Sequence, residues 1–554
     1  MSQEWIIVIV ITTAIVALFA YGVITEHQNK KKYRARLKAA YGKMPEARLH
    51  GFEGEADGIV RSFQEAEIDD ITSSDLDLDL VFTRMNYCTS GIGREYLYYK
   101  LRNPSLHQGR EERFDAQVVH FMEHEEDRLR LGMRYASLSS RSRHSFFDFL
   151  GYLDRLANKS ILPYIFKDLL VFGSIFLMFV SFEIGLFSFI LMMTVSIVWY
   201  LSEKKNIEPY ITNMSLILHL LKTSAVIDLK SYGVFDEEDE KVRLILSKLK
   251  MFRRYARLYF SGQNGGSPLD VVADYFRMLS HSDIILFRLM LGEIKNRKEE
   301  LKELAMVLGY GESVLSTAYF RASMPSWCRP AYGEDSCIHA EKAYHLLLDD
   351  PVSNSFTEDR SMLITGSNAS GKSTFLKTIA ICQILGEAFY TVPAESFETG
   401  RYSVYTSMAL KDSITAGESY YMAEIRSLKR ILDAACEGKK VLCFIDEVLR
   451  GTNTVERISA STEVLKYLKT RDVKAFAATH DIELTELLKE DYSNYHFEEY
   501  ITSEDVRFDY VLKEGKSTGR NAIALLKLLG YPQDVTDHAF ERAERFVNEG
   551  VWKA

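Results

Sequence analysis

Gly366-Ser367-Asn368-Ala369-Ser370-Gly371-Lys372-Ser373 is the stretch from which the fold is read. It fits G-x-x-x-x-G-K-[ST], follows an apolar run at 362–365 that predicts a strand, and opens a helix at Ser373. Strand, glycine-rich turn and helix together make a phosphate-binding loop, because the glycines let successive backbone N–H groups turn toward phosphate oxygens. In that geometry Lys372 reaches the β- and γ-phosphates, and Ser373 holds Mg²⁺. Thr374 follows at the helix start and completes the set of candidate ATP-binding residues.

Working outward, Val441-Leu442-Cys443-Phe444-Ile445 is an apolar run ending in Asp446-Glu447. A buried strand ending in Asp beside such a loop suits the magnesium shell, with Asp446 and Ser373 as candidate ligands. Glu447 is then placed to polarise an attacking water as a general base. Taken alone, the two acids also fit an ordinary acidic helix N-terminus. A further strand end carries Ala477-Ala478-Thr479-His480, and His480 could contact the γ-phosphate or serve only as a structural hydrogen-bonder. β-rich runs at 362–365, 441–445, 474–478 and 507–512 alternate with helical stretches from about Tyr344 onward. That alternation predicts an α/β domain with a largely parallel sheet.

These residues carry a family resemblance. Over residues 366–546 the chain resembles the ATPase domain of the MutS family, in Asn368 of the phosphate loop and in Val392-Pro393-Ala394-Glu395. It also resembles it in Gly417-Glu418-Ser419-Tyr420-Tyr421-Met422-Ala423-Glu424, in Asp446-Glu447-Val448-Leu449-Arg450-Gly451-Thr452-Asn453-Thr454, and in Ala478-Thr479-His480. Fainter similarity to the family's helical core, or lever, begins at Asp79-Leu80-Val81-Phe82 and continues through Gly93-Arg94-Glu95-Tyr96-Leu97; Ser316-Thr317-Ala318 and Pro330 lie where the core rejoins the ATPase domain. The resemblance implies Mg·ATP sandwiched between two copies of the chain, hence a homodimer. Ser419 of one copy would touch the γ-phosphate opposite Lys372 of the other, residues 450–454 would cross the same interface, and His480 would act as a switch. It also implies Tyr510 near the adenine and a helical dimer lock at 521–547.

Residues 5–24 form an uncharged apolar run of about twenty residues, the length of a bilayer-spanning helix. Lys30, Lys31, Lys32, Arg34, Arg36 and Lys38 follow it, which places the bulk of the chain on the cytoplasmic side of the cell membrane. A cleaved signal peptide is the competing reading, against which stand the long apolar stretch and the missing basic lead. A second apolar zone, 161–201, is interrupted by Lys167 and Asp168 and divided at 181–185 (SFEIG). Its pieces 169–180 and 186–201 read as a tight hairpin dipping into lipid, because a helix apolar on every face needs lipid or a very large core. The alternative is a pair of buried soluble helices.

The expected architecture is therefore multidomain. It comprises a transmembrane anchor with basic flank (1–40), a linker (41–68, with GFEGEADG at 51–58), an all-α core or lever domain (69–330) carrying the hairpin, and a C-terminal α/β ATPase domain of the ABC/MutS type (331–554). Within the core, Ile284, Phe287, Leu291, Ile294, Leu301, Ala305 and Leu308 keep a heptad-like spacing broken only at Lys298, which predicts one long helix packed on another. The six cysteines are scattered without metal-ligand spacing and read as reduced cytosolic thiols.

A net charge of −9 excludes a globally basic nucleic-acid binder, so any DNA contact needs a local basic face. Lys248, Lys250, Arg253, Arg254 and Arg257, interleaved with Phe252, Tyr255 and Tyr259, are the candidate DNA-binding stretch; a solvated face or a membrane-surface helix fits it as well. With only a short anchor and linker segment ahead of the core, the family's mismatch-reading domain is expected to be missing, and a nuclease-like extension is not expected either. Two functions stay open: a membrane-anchored, dimeric ATPase coupled to mismatched or branched DNA, or an ATP-driven membrane scaffold or signalling device acting on an unknown protein partner. A transporter-type ATPase is disfavoured, since Gly417-Glu418-Ser419 replaces an L-S-G-G-Q signature.

Overall fold

The computed structural model describes residues 3–45, 59–60, 66–138, 145–153, 159–260, 277, 280–333, 337–367, 370–408, 420–450, 452–471, 473–501, 506–516, 523, 526 and 530–549. The chain divides into two compact units. One comprises Met1–Glu65, Met85–Tyr99 and Ala116–Ser323; the other comprises Ala66–Arg84, Lys100–Asp115 and Met324–Ala554. Residues 66–84 and 100–115, expected within the helical domain, thus fold with the α/β unit.

The helical unit begins with one uninterrupted helix, Gln3–Ala40, running from the apolar segment into the basic flank. Its C-terminal half is fastened to the helix Glu125–Leu138 by Arg34–Glu126 and Lys38–Glu125 ion pairs, each 2.6 Å. Every residue of the predicted heptad seam is buried, yet the seam lies on two helices, Ser282–Asn296 and Lys298–Ser323. The backbone leaves helical geometry at Arg297 (φ −126°), so Lys298, the break in the apolar spacing, is where the second helix starts. The first piece packs on Lys250–Phe260, the second on Asp236–Lys248 and Glu125–Leu138.

Two helices, Leu162–Val180 and Phe182–Ile227, form the hairpin. They are longer than the apolar pieces suggested, because Lys167 and Asp168 do not interrupt the first. The Lys167 ammonium lies 2.6 Å from the Trp199 ring centroid, and Asp168 pairs with Nδ1 of the buried His281 at 2.7 Å. The divide contracts to Ser181 alone, and a Cβ on Gly185 would lie 2.4 Å from the Met178 amide nitrogen, so only glycine lets the arms approach there. By length and composition, Leu162–Val180 and Phe182–Glu208 are able to cross a membrane, with only 22% and 17% of their most apolar stretches buried within the chain. Phe176, Phe179, Phe182 and Phe187 are all exposed, which is not the pattern of soluble core helices.

The α/β unit carries twelve strands among the described residues: β1 (Ala331–Tyr332), β2 (Ile338–Ala343), β3 (Asn354–Glu358), β4 (Ser361–Thr365), β5 (Ser396–Thr399), β6 (Ser403–Ser407), β7 (Val441–Asp446), β8 (Lys474–Thr479), β9 (Tyr492–His496), β10 (Glu499–Ile501), β11 (Val506–Phe508) and β12 (Lys513–Glu514). The main sheet has the order β12-β9-β4-β8-β7-β6, parallel except for β12. A four-stranded sheet, β1-β5-β2-β3, and the hairpin β10-β11 complete the unit. Of the strand expected at 507–512 only 507–508 are realised, at the end of β11; residues 509–512 are not strand, and β12 starts beyond them at Lys513.

Strands β4, β7 and β8 are buried nearly throughout, as apolar runs in a two-sided parallel sheet should be. Alternation sends Phe444 and Phe476 to one face, where Phe476 meets Phe356 and Phe356 meets Phe375. Cys443, Ile445, Ala475 and Ala477 go to the other, against Ile431 and Leu465. The edge at β6 is blunted by the helix Asp70–Asp75: the Thr406 amide donates to Thr72 Oγ1, and the Met408 amide to Asp75, at 3.3 and 3.0 Å. This pairing is why 66–84 belongs to the α/β unit.

Candidate active site

Sheet register assembles the site. Thr365 pairs with Thr479 and Asp446 with Ala478, so the ends of β4, β7 and β8 stand level and their following residues converge. Such carboxyl-terminal strand ends are where open α/β sheets bind ligands. A cleft of about 590 Å³ opens there, lined by the phosphate-loop residues Ser370–Thr374, by Asp446, Glu447 and His480, and by Tyr510.

The loop turns on Gly366 (φ 149°) and Gly371 (φ 107°), backbone angles that side chains disfavour. A Cβ on Gly371 would also lie 3.2 Å from the Tyr510 ring. Lys372 is buried at the start of the helix Lys372–Phe389, and its ammonium donates to the carbonyls of Gly366 and Ser367 at 2.8 and 2.7 Å. Burial pushes that ammonium down to about 8, partly offset by Asp446 and Glu447. The Ser367 hydroxyl donates to Glu499 at 2.5 Å.

Ser373 Oγ donates to Asp446 Oδ2 at 2.5 Å, so the two candidate ligands already converge. A hydroxyl and a carboxylate are hard oxygen donors and fit Mg²⁺, which keeps waters and phosphate oxygens for its other positions. Glu447 follows with φ 63°, and Leu449 has φ 58°: two non-glycine residues in the left-handed region within one short loop. Such residues cost on the order of 1–2 kcal/mol each and persist where surrounding structure holds them. Glu447 Oε1 lies 2.8 Å from His480 Nε2, and Oε2 lies 2.9 Å from Arg450 Nε. The hydrogen bond from His480 holds the Glu447 carboxyl below the usual range, against the opposing effect of burial.

Three residues of the site carried no assignment from sequence. Glu424, on the helix Tyr420–Cys436, is buried and accepts the Arg450 backbone N–H on Oε1 at 2.9 Å. It stands inside the quoted signature, which was the available signal. His345 and Asn354 also line the cleft. Burial holds the His345 imidazole down at about 4, and Asn354 donates to the Tyr510 carbonyl at 3.0 Å. Neither has a motif around it.

Tyr510 (φ 55°) lines the cleft with its ring stacked on Phe508. Thr374 is exposed at the helix start. Asn368, Ala369, Gly417, Glu418, Ser419 and Gly451 lie outside the described residues, as do most of 521–529 and the linker motif at 51–58. The described part of the expected dimer lock is the helix Gln533–Glu549.

The basic stretch lies away from this cleft in sequence, on the helical unit. Lys248, Lys250, Arg254 and Arg257 are exposed and Arg253 is half-buried, with Lys248 3.6 Å from Glu300. Phe252 and Tyr259 are buried in the helical core, so these aromatics serve packing and are not surface platforms for bases.

A family model described as MutS domain V matches residues 362–547, the stretch that carries every one of these strand ends. The DNA mismatch repair protein MutS of Aquifex pyrophilus is 29% identical over 265 residues, covering 46% of this chain and 31% of that protein. MutS of Natronomonas pharaonis is 31% identical over 268 residues, covering 46% and 31%. The DNA mismatch repair protein msh3 of Emericella nidulans is 29% identical over 277 residues, covering 46% and 25%. The chain thus spans about a third or less of the length of these curated relatives. By these matches residues 362–547 are a MutS domain V, and it is through this C-terminal α/β domain that the chain is similar to the MutS family.

Proposed function

We propose that the protein binds and hydrolyses ATP in the cleft at the ends of β4, β7 and β8, as a homodimer, and couples turnover to DNA from a membrane anchor. The convergence of Lys372, the Ser373–Asp446 pair and the Glu447–His480 pair on one cleft carries this reading. Lys372 trades its loop carbonyls for the β/γ-phosphates, and the loop amides orient the phosphate chain. Mg²⁺, held by Ser373 and Asp446, neutralises charge on the phosphate oxygens when bound. Water attacks the γ-phosphorus as the bond to the β–γ bridging oxygen breaks, and its proton passes to Glu447. His480 orients Glu447 and stands beside it to sense the γ-phosphate, while Tyr510 borders the adenine. Ser419 of the partner copy completes the site.

Membrane anchorage is supported by the helix through residues 5–24 and by the exposed apolar faces of Leu162–Val180 and Phe182–Glu208; the basic residues Lys30 to Lys38 support an ATPase domain facing the cytoplasm. The DNA proposal draws on the relatives' names and on the exposed cations Lys248, Lys250, Arg254 and Arg257. The test is Mg·ATP turnover by the detergent-solubilised full chain, with and without mismatched or branched duplex. The expected result is a DNA-dependent change in rate that fades between roughly 50 and 200 mM salt. No change with any nucleic acid at low salt would sink the DNA arm and leave the ATPase standing.

One observation favours the second reading, an ATP-driven device acting on membrane or protein. The hairpin is rooted in the helical unit by buried polar pairs, Asp168–His281 at 2.7 Å and Glu203–Arg288 at 3.1 Å, so its position is tied to the helix Ser282–Asn296. If deletion of residues 169–201 left ATP turnover, its regulation and dimerisation untouched, that reading would lose its basis.

A further inference from the structure

Glu447 needs an oxygen facing water to act as a base, and here both of its oxygens are engaged. Oε1 is held by His480 at 2.8 Å and Oε2 by Arg450 Nε at 2.9 Å. The histidine contact is compatible with catalysis, because it orients the carboxylate from one side. The guanidinium is different: it occupies the second oxygen with a full positive charge, on a side chain that is itself 56% exposed and free to swing.

A second carboxylate stands on the same residue. Glu424 is 7% exposed and binds the backbone N–H of Arg450 through Oε1. Its other oxygen, Oε2, is buried and has no hydrogen-bond partner among the described residues. A buried carboxylate oxygen without a donor is costly, by several kcal/mol in an apolar setting, and a guanidinium is a strong planar donor for it. Arg450 is therefore bracketed by two acids: its side chain is on Glu447, and its backbone is on Glu424. The loop that carries Arg450 is strained, with Glu447 and Leu449 both at positive φ.

We propose that Arg450 is a two-position switch: with its guanidinium on Glu447 the base is occupied, and transfer of the guanidinium to the unpartnered oxygen of Glu424 releases Glu447 for water. Glu424 is then a positioning residue that acts through Arg450. It sits in the first turns of the helix Tyr420–Cys436, so motion of that helix sets where the arginine rests. This inference rests on the ATPase reading above and adds how the site is held off.

The test is a double-mutant cycle on Mg·ATP hydrolysis by the full chain. In Glu424→Gln the amide oxygen still accepts the Arg450 N–H, but the second position becomes a donor and repels the guanidinium. The expected effect is a fall in kcat of about tenfold or more with KM for ATP changed less than about twofold, since the loss concerns a step after binding. In an Arg450→Ala background there is no guanidinium to misplace, and Glu424→Gln should change kcat by less than about twofold. The same kcat loss in both backgrounds, or a loss expressed in KM, overturns the switch. Should Glu424→Gln fail to fold, Glu424→Asp keeps the charge at shorter reach; it should give a smaller kcat loss that Arg450→Ala likewise removes. A parental chain that neither binds nor hydrolyses ATP would overturn the ATPase assignment itself; a hydrolysing parent with an additive cycle overturns the switch alone.

Discussion

Lys372 and Glu447 are reached by different logic, and their substitutions should fail differently. Lys372 is a buried cation that burial has pushed down to about 8, solvated by two carbonyls of its own loop. It is thus prepared to exchange those carbonyls for phosphate oxygens, and Lys372→Ala should weaken ATP binding by about 10- to 100-fold, or roughly 1.4–2.7 kcal/mol, in equilibrium binding. On the proposed mechanism Glu447 acts after binding. Glu447→Gln removes the proton acceptor while keeping the shape, so turnover should drop by about 10²–10⁴ with ATP affinity retained and a long-lived ATP-bound dimer seen by size-exclusion chromatography. Hydrolysis at the parental rate would remove Glu447 from the mechanism. The identities of both residues were legible from motif and spacing. Their partners were not, because Arg450 and His480 meet Glu447 only through strand register and a contorted loop.

At the scale of elements, capping by distant residues determines where helices begin. Glu95, on the helix Gly91–Arg102, accepts the Ser145 hydroxyl at 2.8 Å and the Phe146 amide at 3.0 Å, so it caps the helix Phe146–Leu153 from outside. Burial pushes its carboxyl up to about 8, from an ordinary 4.5. Between these values the unfolded chain gives up a proton that the folded chain keeps. Stability therefore falls as pH rises from 4.5 to 8, by at most about 1.4 kcal/mol per unit. The thermal midpoint of the detergent-solubilised chain should decline from pH 5 to pH 8, and Glu95→Gln should flatten that decline. An identical slope in the variant would show that Glu95 ionises freely. Periodicity displayed the apolar seam of 284–308 and its one break at Lys298, but not that the helix ends there, since an apolar stripe continues across a helix break whenever both pieces pack on the same core.

At the scale of the molecule, the proposed site is shared between copies, and shared sites can be complemented. A Lys372→Ala protomer offers an intact Ser419, and a Ser419→Ala protomer offers an intact Lys372. Each variant alone should be nearly inactive. Random mixing makes half of the dimers hybrid with one intact site of two, so activity should return to about a quarter of the parental rate. No recovery after subunit exchange would place both residues in the same copy's site and end the trans arrangement. The apolar hairpin belongs to this scale too. Composition marked it, but only the structure shows that its apolar side chains find so little cover within the chain.

By itself the sequence determined the candidates for the proposed chemistry: a phosphate-loop motif, a strand-end acid pair and a histidine, each recognisable because a short run of backbone must satisfy one local geometry. It also determined the apolar segments, whose length matches a bilayer span. Tertiary structure alone decided which chain segments share a unit, placing 66–84 on the exposed edge of β6 because that edge strand's amides needed acceptors. It alone decided that Glu424 stands against Arg450, since these residues are brought together by the packing of a helix on a sheet and not by any spacing along the chain.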